Sequence, residues 1–269
     1  MERQIINGKF EQGMAMTIDR LLAGKVALIT GGGSGIGFAI AECFLKSGCK
    51  CIIAGRNSNK LVRAAKELAQ YGKDNIKTIV MDITQVCDME DHIEKAANLF
   101  VDDRIDILVN NAAVRGTKRF GDIDEKEYDR VMDTNAKGTF FMTQAMGNYM
   151  KKNGIKGHII NIGSSAALLP AYTPYRISKW TVKGITLGAA AMLLPYGIIV
   201  NAIAPGPTMT DMMNKKECDS VYDEKIPSKR FSYPNEIAAL ALYLVSGFAD
   251  QIVGESININ GGEGTLTKH

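Results

Sequence analysis

Residues 26–37 read VALITGGGSGIG, an apolar run that passes directly into a glycine-rich turn and then into a segment with helical periodicity. A strand followed by such a turn and a helix is the opening of a βα unit, and that context gives the glycines a physical purpose. Gly31 and Gly35 let the backbone turn tightly under a pyrophosphate, and Gly37 lets helix and strand approach closely. The amides of Gly33, Ser34 and Ile36 then lie where a helix N-terminus offers donors and partial positive charge to phosphate oxygens.

Working outward, short apolar runs recur at residues 26–30, 51–54, 76–81, 105–110, 158–162, 198–203 and 256–259. Between them lie helical patterns at 36–46, 60–71, 89–101, 125–150, 178–194 and 235–246. The strands are apolar on both faces and alternate with helices, which predicts an α/β fold with a doubly wound parallel sheet of about seven strands, helices covering both faces. No proline- or serine-rich linker interrupts the pattern, so residues 23–269 read as one Rossmann-like domain after an N-terminal extension of residues 1–22. The stretch from about 206 to 231 breaks the alternation and is long enough for a lid.

Composition narrows the function. A hydrophobic content of 46% supports a large core, and a net charge of +3 spread along 269 residues contains no basic block to track nucleic acid. Cys43, Cys49, Cys51, Cys87 and Cys218 form no CxxC pair, and with only His92, His158 and His269 a metal site has little to be built from. No apolar stretch reaches signal-peptide or membrane-spanning length. The expectation is a cytoplasmic protein with no metal, no nucleic acid and no membrane partner.

Tyr175 and Lys179 stand four residues apart in TPYRISKW, so a helix puts both on one face. A phenol titrates near pH ~10, and a neighbouring ammonium stabilises the phenolate and draws that value down. Upstream, NIGSS ends a strand and places the hydroxyls of Ser164 and Ser165 at the sheet's carboxyl edge. Either hydroxyl could serve a substrate or simply satisfy a turn amide.

The spacing TGxxxGxG resembles the short-chain dehydrogenase/reductase family, and further motifs follow in that family's order over about residues 23–262. The second strand ends in IIAGRN, where NAD-preferring members place an aspartate; here Gly55 is followed by Arg56 and Asn57. An arginine grips a 2′-phosphate that an acid would repel, so NADP(H) is favoured, with NAD(H) possible. Asp82 and Ile83 match the pair that flanks the adenine. NNAA, including Asn111 and Ala112, resembles the family's NNAG with Ala113 in place of glycine. In APGPTMT, Pro205, Gly206 and Thr208 match the motif that contacts the nicotinamide carboxamide.

The resemblance implies the catalytic set Asn135, Ser164, Tyr175 and Lys179. Ser164 would bind the substrate oxygen and Tyr175 would exchange its proton. Lys179 would also bond the nicotinamide ribose, and Asn135, at a helix distortion, would hold a water linking the lysine to solvent. Two departures stand out. Ser164 precedes Tyr175 by fewer residues than is usual, and Asn260 replaces a frequent aspartate. The implied activity is oxidoreduction between a secondary alcohol and a ketone in a homo-oligomer, tetramer or dimer, with a hydroxysteroid or a 3-oxoacyl thioester as the favoured substrate. Met209, Met212 and Met213 in the lid suit an apolar pocket or ordinary packing. The competing readings are a non-catalytic nucleotide sensor or scaffold of the same fold, and an epimerase or dehydratase with a larger carboxyl-terminal domain.

Overall fold

Seven strands form a single sheet: β1 (Val26–Thr30), β2 (Lys50–Gly55), β3 (Ile76–Val80), β4 (Ile107–Asn110), β5 (His158–Ile162), β6 (Ile199–Pro205) and β7 (Ser256–Ile259). The computed structural model describes residues 20–102, 104–213, 215 and 219–266. Every neighbouring pair is parallel, in the order β3-β2-β1-β4-β5-β6-β7. The chain runs outward one way through β1, β2 and β3, then returns to the centre at β4 and runs the other way. That reversal between β1 and β4 opens a crevice at the strand carboxyl ends, the place where such sheets bind ligands.

The helices are α1 (Gly35–Lys46), α2 (Ser58–Leu68), α3 (Met89–Ala97), α4 (Glu125–Met132), α5 (Thr139–Lys152), α6 (Pro174–Leu193) and α7 (Pro234–Val245). Strand residues alternate between two cores. Ala27 and Ile29 join Phe44, Leu61 and Leu244 from α1, α2 and α7, whereas Val26 and Leu28 join Ile93, Met146 and Leu193 from α3, α5 and α6. Covering both faces is why the central strands have no polar side to their pattern.

Several expected boundaries shift, among them three with a local reason. The helix expected over residues 125–150 is divided by a π turn at Asp133–Gly138. The helix expected from residue 178 begins at Pro174, because Thr173 accepts a bond from the Arg176 amide at 3.3 Å and proline fits the first helical position. The fourth strand starts at Ile107, because the carboxylate of buried Asp106 accepts the Val26 amide (3.0 Å) and the Arg104 guanidinium. Of the expected extension over residues 1–22, residues 1–19 lie outside the described residues. Leu22 belongs to the domain, buried in the core with its amide donating to Ser47 O at 2.9 Å.

Candidate active site

The crevice holds a cavity of about 380 Å³. Gly31, Gly33, Ser34, Gly35 and Ile36 of the β1–α1 turn line it, with Arg56 and Asn57 from the end of β2. Asp82 and Ile83 after β3, and Asn111 and Ala112 after β4, complete the wall. The sequence assigned all of these to one nucleotide, and the topology brings them together. Gly37, Pro205, Gly206, Thr208 and the Tyr175–Lys179 pair are not among the lining residues.

The turn is a cradle for a bulky anion. At Gly31, with φ +66°, a Cβ would stand 2.8 Å from the Asn111 amide nitrogen. At Gly37 it would come within 2.6 Å of Gly31 O, so the helix can approach this closely only without a side chain. Thr30 is the hub that fixes this geometry. Its hydroxyl donates to Val109 O (3.3 Å) and accepts the amides of Asn111 (3.0 Å) and Ala112 (3.1 Å). Ser34 at the N-cap of α1 makes no side-chain capping bond, and the first turn carries no acid. The leading amides of α1 therefore remain for a phosphate, and a dinucleotide fits this cradle.

Several matched residues spend their side chains on the scaffold. Asn111 Nδ2 donates to Thr30 O (3.0 Å) and Gly31 O (3.1 Å), clamping the glycine turn. Asn57 caps α2 by accepting the Lys60 amide at 2.9 Å, and Asp82 accepts the amide (3.0 Å) and hydroxyl (2.9 Å) of Thr84. Arg56 is exposed at the rim and makes no ion pair among the described residues. Thr208 Oγ1 donates to Gly206 O at 3.0 Å, bracing the turn after β6. The excursion after β6 carries a small core of Met209, Ile226 and Phe231, so Met209 is packing, while Met212 lines the groove.

At the reacting centre, the Ser164 hydroxyl faces the Tyr175 phenol and accepts the Ala166 amide at 3.1 Å. Ser165, the alternate, is buried and donates to Glu263 at 2.6 Å, which leaves Ser164 facing the phenol. Lys179 is buried, and its ammonium donates to Ile162 O at 2.8 Å while standing 5.7 Å from the Tyr175 ring centroid. Burial pushes the Tyr175 phenol up; the Ser164 hydroxyl and the Arg115 charge pull it down, and the Glu263 charge pushes it up. The expectation of a lowered phenol is thus corrected: burial is the largest influence on Tyr175 and raises it. Burial also lowers Lys179 to about 8.

Asn135 lies in the π turn, so the expected helix distortion is present. Its side chain, however, is committed: Nδ2 donates to Val114 O (2.8 Å) and Ser178 Oγ (3.1 Å), and Oδ1 accepts the Val114 amide (2.8 Å). These bonds clamp the β4–α4 loop to α6. Arg115 and Glu263 entered no motif. Their only sequence signal is position, immediately after NNAAV and NINGG.

A family model for short chain dehydrogenase matches residues 25–220. The chain belongs to the short-chain dehydrogenase/reductase family. A 3-oxoacyl-(acyl-carrier-protein) reductase from Aquifex aeolicus is 36% identical over 245 residues, 90% of this chain and 98% of that protein. The 3beta-hydroxysteroid dehydrogenase 2 of Eggerthella lenta is 33% identical over 251 residues, 90% of this chain and 95% of that one. Among solved structures, a 3-ketoacyl-(acyl-carrier-protein) reductase from Brucella melitensis complexed with NADH superposes with a TM-score of 0.80 at 30% identity, covering 91% of this chain and 100% of that one. Actinorhodin polyketide ketoreductase with NADPH gives 0.81 at 28%, covering 93% and 99%. Members are oxidoreductases acting on alcohol and ketone groups with a nicotinamide dinucleotide, and the cradle described above fits that cofactor.

Keeping a cation in this dry position costs stability. The folded lysine releases its proton near 8, whereas an ordinary lysine holds it to 10.5. Between those values the unfolded chain binds more protons, so wild-type stability is expected to rise with pH across that window. Lys179→Met is expected to be more stable by about 1–3 kcal/mol at pH 7, to lose the rise, and to lose activity. Urea unfolding between pH 7 and 10 is the measurement.

Proposed function

We propose that the chain is an NADP(H)-dependent oxidoreductase interconverting a secondary alcohol and a ketone, with Tyr175 as acid and base. The observation that carries the reading is the Ser164–Tyr175 hydroxyl pair beside the buried Lys179 ammonium, at the sheet edge that ends in the glycine cradle. Ser164 binds and orients the substrate oxygen. Tyr175, a phenol that burial raises further, donates its proton to that oxygen as a ketone is reduced. Nicotinamide, when bound, supplies or takes up the hydride. Lys179 holds the ribose side of the cofactor and replenishes the phenol proton, and Asn135, in the π turn, links that relay to solvent.

Arg56 supports the choice of NADP(H): it stands at the groove rim with no ion pair among the described residues, and the end of β2 carries no carboxylate. A hydroxysteroid or 3-oxoacyl thioester is the favoured substrate, supported by the printed activities of the relatives and by Met212 and Met213 beside the groove mouth. A homo-oligomer, tetramer or dimer, is supported by the outer surface of α6. Trp180 (45% exposed) and Leu187 (64%) lie there beside Gly184 and Gly188, over which nothing packs. A reducing cytoplasm is supported by the free thiols of Cys43, Cys49, Cys51 and Cys87. Among the described residues no helix is long and apolar enough to cross a membrane.

Tyr175→Phe is expected to lower turnover by about 10³-fold or more while NADPH binding persists. Oxidation of NADPH with ketosteroids, β-ketoacyl thioesters and sugar ketones, followed beside fluorescence titration, measures both; retained turnover overturns the assignment. Arg56→Ala is expected to reduce kcat/KM for NADPH roughly tenfold or more with little change for NADH. A wild-type preference for NADH refutes the cofactor choice. Light scattering is expected to give a dimer or tetramer, and a monomer rejects the assembly.

A further inference from the structure

The chain after β7 turns back into the reacting centre. Gly264 adopts φ +74°, and a Cβ there would lie 3.2 Å from Leu168 Cβ, so this turn sits closely on the 3₁₀ turn Ser165–Leu168 that follows β5. At the other end of that 3₁₀ turn, the Glu263 carboxylate accepts the Ser165 hydroxyl at 2.6 Å. The C-terminal turn therefore grips the segment that begins at Ser164 from both ends.

Asn260 explains how the grip is built. Its Nδ2 donates to Glu263 O at 2.5 Å, and its Oδ1 accepts the Gly262 amide at 3.0 Å. A carboxylate at this position could accept but not donate, so it could not hold the Glu263 carbonyl. The base of the lid joins the same turn, with the Ser228 amide donating to Gly261 O at 2.9 Å.

We propose that Glu263 is a positioning residue: delivered by the Asn260 turn and bonded to Ser165, its carboxylate sets the Ser164 hydroxyl against the Tyr175 phenol. The inference rests on the reading of Tyr175 as acid and base. Ser165, one residue from Ser164, caps no amide of its own turn among the described bonds and is instead tied across the site. Freed from Glu263, the 3₁₀ turn loses the bond that fixes its first residue, and Ser164 loses its register.

The carboxylate also acts through its charge. The groups that bear on the phenol are Ser164 from the β5–α6 turn, Arg115 from the β4–α4 loop, Lys179 from the next turn of α6, and Glu263. Arg115 favours the phenolate and Glu263 opposes it. Glu263 therefore keeps Tyr175 a proton donor to higher pH, which suits ketone reduction.

Position and charge separate experimentally. Glu263→Gln keeps an acceptor for Ser165 and removes the charge, so the pH midpoint of kcat/KM moves to lower pH for both reduction and alcohol oxidation. Ser165→Ala keeps the charge and removes the bond, so kcat/KM falls roughly ten- to a hundredfold and the midpoint, released from the lowering influence of Ser164, moves to higher pH, opposite to Glu263→Gln; Ser165→Thr restores most of both. Tyr175 is also titrated without turnover, as the difference in phenolate absorbance between each protein and its Tyr175→Phe counterpart. A midpoint unchanged in Glu263→Gln by both measures, or undiminished kcat/KM in Ser165→Ala, overturns the proposal. If instead Tyr175→Phe itself retains turnover, the underlying catalytic reading has failed.

Discussion

The Lys179 ammonium bonded to the Ile162 carbonyl is the constraint around which the site is organised. A lysine in a dry interior is costly, and a single carbonyl repays only part of its lost hydration. What the fold gains is a fixed relation between α6 and the end of β5. Ile162 precedes Gly163 and Ser164, so the bond that seats the cation also sets the distance between the serine-bearing turn and the tyrosine-bearing helix.

Buried amides hold α6 at the right rotation for that bond. Asn110 donates to Asn161 Oδ1 and Thr143 Oγ1, both at 2.9 Å, and Asn161 donates to Thr186 Oγ1 at 3.0 Å. This chain runs from β4 through β5 to α6, with α5 joined at Thr143. Unlike apolar contacts, which tolerate sliding, these bonds have one register, and slipping α6 would strand buried donors. Asn135, equally buried, repeats the device by clasping Val114 and Ser178, whose hydroxyl donates to Tyr175 O at 2.7 Å.

The fold was legible in the sequence because its signals are local. Apolar runs recur at strand length, and Thr30 to Gly37 states the turn chemistry outright. The nucleotide groove was legible for a related reason: each wall is the carboxyl end of a strand, so topology converges the residues once the sheet order is known. Sequence could not show which matched side chains are free. Asn57, Asp82, Asn111 and Asn135 sit at the matched positions yet spend their polar atoms on the scaffold, and only geometry separates a ligand-facing group from a clamp. The phenol's acidity was illegible too, since a four-residue spacing places an ammonium near Tyr175 but does not say that the ammonium points at a carbonyl or that burial prevails.

The same reasoning explains why the unmatched residues lie where they do. A parallel sheet fixes its strands and leaves the loops at their carboxyl ends free to carry residues that no local pattern announces. Arg115 and Glu263 both occupy those loops, one after β4 and one after β7, and both act on the phenol by charge rather than by contact. Their potentials add at the phenol with opposite signs, Arg115 favouring the phenolate and Glu263 opposing it. With burial and the Ser164 hydroxyl, these two charges bear on the proton affinity of Tyr175. The C-terminal turn, remote in sequence from TPYRISKW, therefore belongs to the active site on physical grounds.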